Sequence, residues 1–190
     1  MIIETLITTI DREGRANFAP MGVVWGEEEI VVKPYRETTT YRNLLETGEA
    51  VVNLVDDVRY FVRGALTSPT FPSMSAVVVR GVVLEGACSW REIRVREAET
   101  AEPRARFVCD VVYRGFRREF LGYNRARNAV LEATILATRT RLLPMEEILA
   151  EYRRLQVIVD KTAGPSEREA MAMLTDFVRS EAAASKDEAR

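Results

Sequence analysis

No histidine occurs among the 190 residues, and that absence excludes more chemistry than any single residue present selects. It removes Ser-His-Asp and Cys-His nucleophilic arrangements, and with them the commonest general base. It also removes most zinc and non-haem iron sites, since two separated cysteines cannot replace the missing ligands. Those two, Cys88 and Cys109, sit in strand-like apolar runs and read as buried thiols rather than a disulfide or a catalytic pair. No apolar run reaches spanning length, and Glu4, Asp11, Arg12 and Glu13 interrupt the start, so neither a membrane span nor a signal peptide is expected. The cytoplasm is the expected compartment. Gly14, Gly22 and Gly26 are too scattered for a glycine-rich dinucleotide fingerprint. If demanding chemistry happens here, something other than a histidine must do it, and a bound organic cofactor fits that constraint.

What is present is ordinary in bulk: 47% hydrophobic, 29% charged, net charge −2. The length suits one compact unit with an appended piece. The slight acidity gives no global field to draw nucleic acid. Of 27 basic residues only Lys33, Lys161 and Lys186 are lysines. Arg114, Arg117, Arg118, Arg125 and Arg127 form a local cluster, which reads first as a solvated face or subunit contact and second as an anion site.

The first two thirds read as β. Strands are expected over Ile2 to Ile10, Ala16 to Trp25, Glu29 to Lys33, Ala50 to Val55, Ala76 to Leu84, Glu92 to Arg96 and Arg104 to Tyr113. Apolar residues at helical spacing mark Asp56 to Leu66 as a helix. The last third turns helical. Ala126, Ala129, Val130, Ala133 and Ala137 form one stripe within Asn124 to Thr140. Pro144 can open the next helix, and Ser166 with Glu169 reads as a capping box for a last one through about Arg179. The expected organisation is therefore a barrel or sandwich over 1–120, a helical subdomain over 121–183 and a frayed tail over 184–190.

The segment with most chemical content is Lys33-Pro34-Tyr35-Arg36-Glu37-Thr38-Thr39-Thr40-Tyr41-Arg42-Asn43, followed by Leu44 to Gly48. It reads as a strand end, a loop dense in hydroxyls and cations, and a short helix. Three β-branched threonines are poor helix starters, yet they place hydroxyls where an anion would meet free N–H groups and the positive dipole end. The bland alternative is a threonine N-cap needing no ligand. Asn17 to Gly22 places a proline and a glycine two apart in a strand pattern, which predicts an interrupted ladder with N–H groups free for a planar heterocycle, or an ordinary edge bulge. Asn53 interrupts an apolar strand and must bond to backbone, water or ligand. Asp56-Asp57 reads as the cap of the following helix in preference to a catalytic pair.

Taken together, Asn17 to Gly22, Lys33-Pro34-Tyr35, Thr38 to Asn43, Gly48 to Asn53 and Asp56-Asp57 resemble the FMN-binding split-barrel superfamily, whose best-known members are flavin reductases. Gly122 to Ala133, with Lys161 to Gly164, is similar to one branch of it, the domain-of-unknown-function family 447, whose members bind FMN.

The resemblance implies a mainly β fold with α: an antiparallel Greek-key split β-barrel with a C-terminal helical subdomain, assembled as a homodimer with FMN near the subunit interface. It places Thr38, Thr40, Tyr41, Arg42 and Asn43 on the 5′-phosphate, with Lys33 nearby. It runs Ala19, Pro20 and Met21 along the isoalloxazine edge and turns Asn53 to the flavin or its ribityl chain. The implied function is an FMN-dependent oxidoreductase acting through flavin N5 on a small substrate. Signatures for nicotinamide binding are absent, so the electron donor, nicotinamide or deazaflavin, is open. Tyr41, Tyr123 and Asp57 are candidates for proton handling that no spacing selects. The alternatives are an FMN carrier or sensor without turnover and, more distantly, an anion- or nucleic-acid-binding barrel using the arginine cluster.

Overall fold

The computed structural model describes residues 1–188 and divides into two compact units. The first comprises Met1–Asp56 and Ser68–Phe120, the second Asp57–Thr67 and Leu121–Arg190. The helix predicted over Asp56 to Leu66 thus clusters with the C-terminal helices, although the chain passes through it early.

In the first unit, β1 (Ile2–Ile10), β2 (Ala16–Trp25), β3 (Glu29–Val32), β4 (Glu49–Leu54), β7 (Ser89–Glu99) and β8 (Arg106–Phe116) close a barrel in the order β1-β2-β3-β8-β7-β4. Every pairing is antiparallel. β4 returns to lie beside β1, which gives the spatial order β4-β1-β2-β3 of a Greek key. The interior holds Ile7, Val23, Ile30, Val52, Ile93 and Phe107, all fully buried. Burial of a side chain the size of Phe107 contributes roughly 1.5–3 kcal/mol.

Two expectations for this unit change. β2 is unbroken: Ile10↔Ala16 through Ile2↔Val24 pair in one register, with Pro20 opposite Leu6 and no bulge. Proline is accommodated because β3 pairs with β2 only at Val24 and Trp25, so residues 16–23 have no strand on that side among the described residues. The single strand expected over Ala76 to Leu84 is instead the hairpin of β5 (Ser73–Ser75) and β6 (Val82–Leu84), with residues 76–81 as its turn. Three apolar valines in a row looked strand-like, but the buried Glu92 carboxylate captures their N–H groups: Val77 at 2.8 Å, Val78 at 2.6 Å and Val79 at 3.0 Å.

Helix α1 (Thr39–Thr47) joins β3 to β4 and ends on Gly48, whose φ of 67° lets its N–H reach the Leu44 carbonyl. The second unit packs α2 (Arg59–Leu66), α3 (Arg125–Ala137), α4 (Met145–Thr162) and α5 (Pro165–Glu188) around a core that includes Val62, Val130, Ile148 and Leu174. The alanine stripe of α3 lets a neighbouring helix come close, and the Tyr152 hydroxyl donates to the Ala133 carbonyl at 2.7 Å. Burial raises the pKa of that phenol well above its ordinary value.

Asn124 caps α3 by accepting the Arg127 N–H at 3.1 Å. The predicted capping box does not form. Glu169 pairs with Arg59 at 2.9 Å and Arg63 at 3.2 Å, and Glu167 takes the Gly164 N–H at 2.9 Å instead. α5 continues past Arg179 to Glu188, so of the tail expected over 184–190 only 189–190 lie outside the described residues.

Candidate functional site: the first turn of α1 on the barrel wall

The threonine run resolves into distinct duties. Thr38 is the N-cap: its extended backbone precedes α1, its Oγ1 accepts the Tyr41 N–H at 3.3 Å, and its hydroxyl donates to the Tyr35 carbonyl at 2.7 Å. The Arg42 N–H bonds the Thr38 carbonyl at 3.3 Å. With those two donors satisfied, the N–H groups of Thr39 and Thr40 remain as the orphans that every helix start leaves. On the exposed side, Arg42 Nη2 donates to Thr39 Oγ1 at 3.0 Å, holding the guanidinium over the same turn.

The opposite side of the turn is rooted in the barrel. Thr40 and Asn43 are both buried. Asn43 Nδ2 donates to Thr9 Oγ1 on β1 at 3.0 Å. Asn17 Nδ2, on β2, donates to Thr40 Oγ1 at 3.1 Å and to Thr9 Oγ1 at 3.4 Å. Tyr41 packs its ring edge against Phe107, with centroids 5.9 Å apart. The turn therefore has a buried, hydrogen-bonded face and an outer face that carries the exposed Thr39 and the exposed Arg42 guanidinium.

Lys33 is exposed just past the end of β3, and Tyr35 carries the Arg104 guanidinium 4.3 Å from its ring centroid. Among the described residues neither Lys33 nor Arg42 forms an ion pair with a carboxylate. Ala19, Pro20 and Met21 are half-buried on the stretch of β2 that lacks a second strand neighbour.

Asn53 stands elsewhere. It is fully buried, its Nδ2 donates to the Leu6 carbonyl at 3.0 Å, and its Oδ1 accepts the Leu84 N–H at 3.0 Å. A buried amide needs such partners, and here the protein supplies them without a ligand. Of the acidic pair, Asp57 takes the Arg59 N–H at 3.0 Å at the start of α2, as a cap should. The Asp56 carboxylate holds Arg118 at 2.5 and 2.8 Å.

The arginine cluster is largely consumed by such pairs. Arg114 meets Glu28, Arg117 bonds the Leu84 and Glu85 carbonyls, and Arg127 meets Glu167 at 3.1 Å. These contacts engage four of the five arginines of the cluster within the protein. Both thiols are inert by environment. Burial pushes Cys109 up to about 12 and also raises Cys88, which the Asp56 carboxylate raises further.

Sequence reasoning singled out the threonines and Arg42 but missed Thr9 and Glu92. A polar residue within an otherwise buried strand was the available signal, already used for Asn53.

This closed antiparallel barrel, with an anion-competent helix turn set against β1 and β2, has the architecture of the split-barrel proteins. The chain belongs to the family described as protein of unknown function (DUF447), whose N-terminal domain matches residues 3–118 and whose second part matches residues 124–176. Among solved structures, an FMN-bound protein of this family from Methanosarcina mazei is 28% identical, covers 93% of this chain and 94% of its own, and superposes with a TM-score of 0.78. Component B of the nitrilotriacetate monooxygenase from Bacillus cereus is 21% identical over 63% of this chain and 71% of its own, with a TM-score of 0.52. A split-barrel protein from Shewanella frigidimarina, described as a flavin reductase, is 14% identical over 60% and 66%, with a TM-score of 0.51. The last two likenesses concern the fold alone. No described helix is long and apolar enough to cross a membrane.

Proposed function

We propose that this chain binds FMN and works as a flavin-dependent oxidoreductase on a small substrate. The observation that carries the reading is the solvent face of the α1 turn. The Thr39 hydroxyl and the Arg42 guanidinium stand together there at the N-terminus of the helix. That donor set suits a phosphate dianion, which gains from the helix dipole and from a charge-assisted bond to arginine. The FMN bound by the M. mazei relative supports the choice of ligand.

In this reading Thr39, Thr40 and Arg42 hold the phosphate, and Lys33 adds positive charge beside it. Thr38, Tyr41 and Asn43 keep the turn in shape. The open stretch of β2 at Ala19, Pro20 and Met21 offers a half-buried, uncharged surface to the ring system. FMN, when bound, supplies hydride or electron transfer at flavin N5. The protein's own part is orientation and water exclusion, consistent with a chain that has no histidine to move protons.

A homodimer accompanies this reading. The exposed Phe116 and Phe120, 70% and 52% accessible, support a second copy covering the end of β8.

A visible absorption spectrum of the purified protein, with mass identification of any chromophore released on denaturation, tests the proposal. Stoichiometric FMN is the expected result; a colourless protein that also ignores added FMN overturns it. Anaerobic mixing with nicotinamide or deazaflavin donors then separates an oxidoreductase, whose flavin bleaches, from a carrier or sensor, whose flavin does not.

A further inference from the structure

Four side chains from three elements form one hydrogen-bonded network. Thr9, fully buried on β1, lies directly opposite Asn17 in the β1–β2 register. Its Oγ1 accepts from Asn43 Nδ2 at 3.0 Å and from Asn17 Nδ2 at 3.4 Å, and the same Asn17 nitrogen reaches Thr40 Oγ1 at 3.1 Å. Thr40 and Asn43 are three apart on α1, so they share a face. Thr39 and Arg42 are also three apart and form the neighbouring face, joined by their own 3.0 Å bond. One face is tied down; the other is offered outward.

We propose that Thr9 is a positioning residue for phosphate recognition: by anchoring Asn43, directly, and Thr40, through Asn17, it sets the direction in which the outer face of the first turn, with the Thr39 N–H and Arg42, points. The inference rests on the FMN reading above and extends it to a residue that touches no ligand. Helix N–H donors are useful to an anion only along the axis, so a small rotation of the first turn misaims them without unfolding anything. Valine in place of Thr9 keeps the shape and removes the oxygen. The buried Asn43 amide then lacks its acceptor, and the cheapest relief is to turn toward water, carrying the helix start with it. The Ala19, Pro20 and Met21 side chains take no part in these hydrogen bonds, so recognition of the flavin ring is left alone.

The test compares FMN with riboflavin, which lacks only the phosphate, by fluorescence titration of wild type, Thr9→Val and Thr9→Ser. Wild type is expected to prefer FMN. In Thr9→Val that preference falls about tenfold while riboflavin affinity stays within about twofold, and Thr9→Ser, which keeps the hydroxyl, restores it. Should Thr9→Val fail to fold, Asn17→Ala, which cuts the branch to Thr40, must show the same selective loss. An unchanged FMN preference, or equal weakening of both ligands, overturns the positioning role while leaving the FMN reading intact. A wild type with no preference for FMN over riboflavin overturns both.

Discussion

The indole of Trp90 fills the space in which a side chain at Gly115 would have to stand. The two residues are partners across β7 and β8, and a Cβ built on Gly115 would lie 1.9 Å from Cε2 and 2.2 Å from Cζ2 of the indole. Trp90 cannot simply swing away, because its Nε1 donates to the buried Glu92 at 3.3 Å and Arg117 lies 5.9 Å from the ring centroid. Gly115→Ala is therefore expected to destabilise the protein by about 3 kcal/mol, the upper end of overpacking costs. Denaturant unfolding measures this, and a red shift of tryptophan emission should accompany it.

Glu92 holds the turn of the β5–β6 hairpin with a single carboxylate, accepting from Val77, Val78 and Val79 as well as from Trp90. Glu92→Gln keeps the volume but turns one acceptor into a donor facing donors. The expected cost is about 1–3 kcal/mol. Hydrogen exchange should show faster exchange at the Val77 to Val79 amides while the ladder of β1 and β2 stays protected. Unchanged exchange at those three amides would count against the latch.

Glu169 carries a pH dependence whose sign is fixed by geometry. Hydrogen bonding to Arg59, first, holds its carboxyl below the usual carboxylate range against an opposing desolvation, with the charges of Arg59 and Arg63 adding to the lowering. A carboxylate lowered on folding stabilises the fold above its unfolded pKa and loses that contribution as pH falls through its folded pKa. Wild type should therefore exceed Glu169→Gln in stability at pH 7, and the gap should narrow as pH falls below the ordinary glutamate range and through the lowered folded pKa. Denaturation midpoints of the two proteins in a series from neutral to strongly acidic pH decide it. A gap that persists in acid would assign the effect to packing.

Arg42→Ala should reduce FMN affinity roughly tenfold to a hundredfold, the worth of a charge-assisted hydrogen bond. Because the Arg42 side chain is exposed and bonds only Thr39 among the described residues, its removal should leave the melting temperature of the ligand-free protein close to wild type. Isothermal titration with FMN and a thermal scan together separate a binding role from a folding one.

Local chemistry that completes itself within a few residues was legible in the sequence. The short helix after the threonine run and the apolar stripe of α3 each depend on neighbours in the chain, and each stands where the pattern put it. Contacts closed over long separations were not. Nothing near Glu92 announces that Val77 to Val79 will bend to meet it, and the Pro20-x-Gly22 pattern suggested a bulge because the shortness of the β2–β3 pairing is a property of the barrel. Glu169 was read as a local capping partner, yet its partners lie 110 and 106 positions away. The candidate site divides the same way: the outward donors of α1 were visible in the threonine run, whereas Thr9, which fastens that turn from β1, was not.

The separation between α2 and its partners also has a consequence in time. Arg59 of α2 meets Glu169 of α5 across 110 positions. At roughly 5–20 residues per second, a ribosome needs about 5–20 s to supply the second after the first. For that interval Val58 and Val62 are synthesised but lack the helices that bury them, while the strands that follow α2 are already emerging. The nascent chain thus carries an apolar segment waiting for the last helix, and chaperone demand should fall on this window.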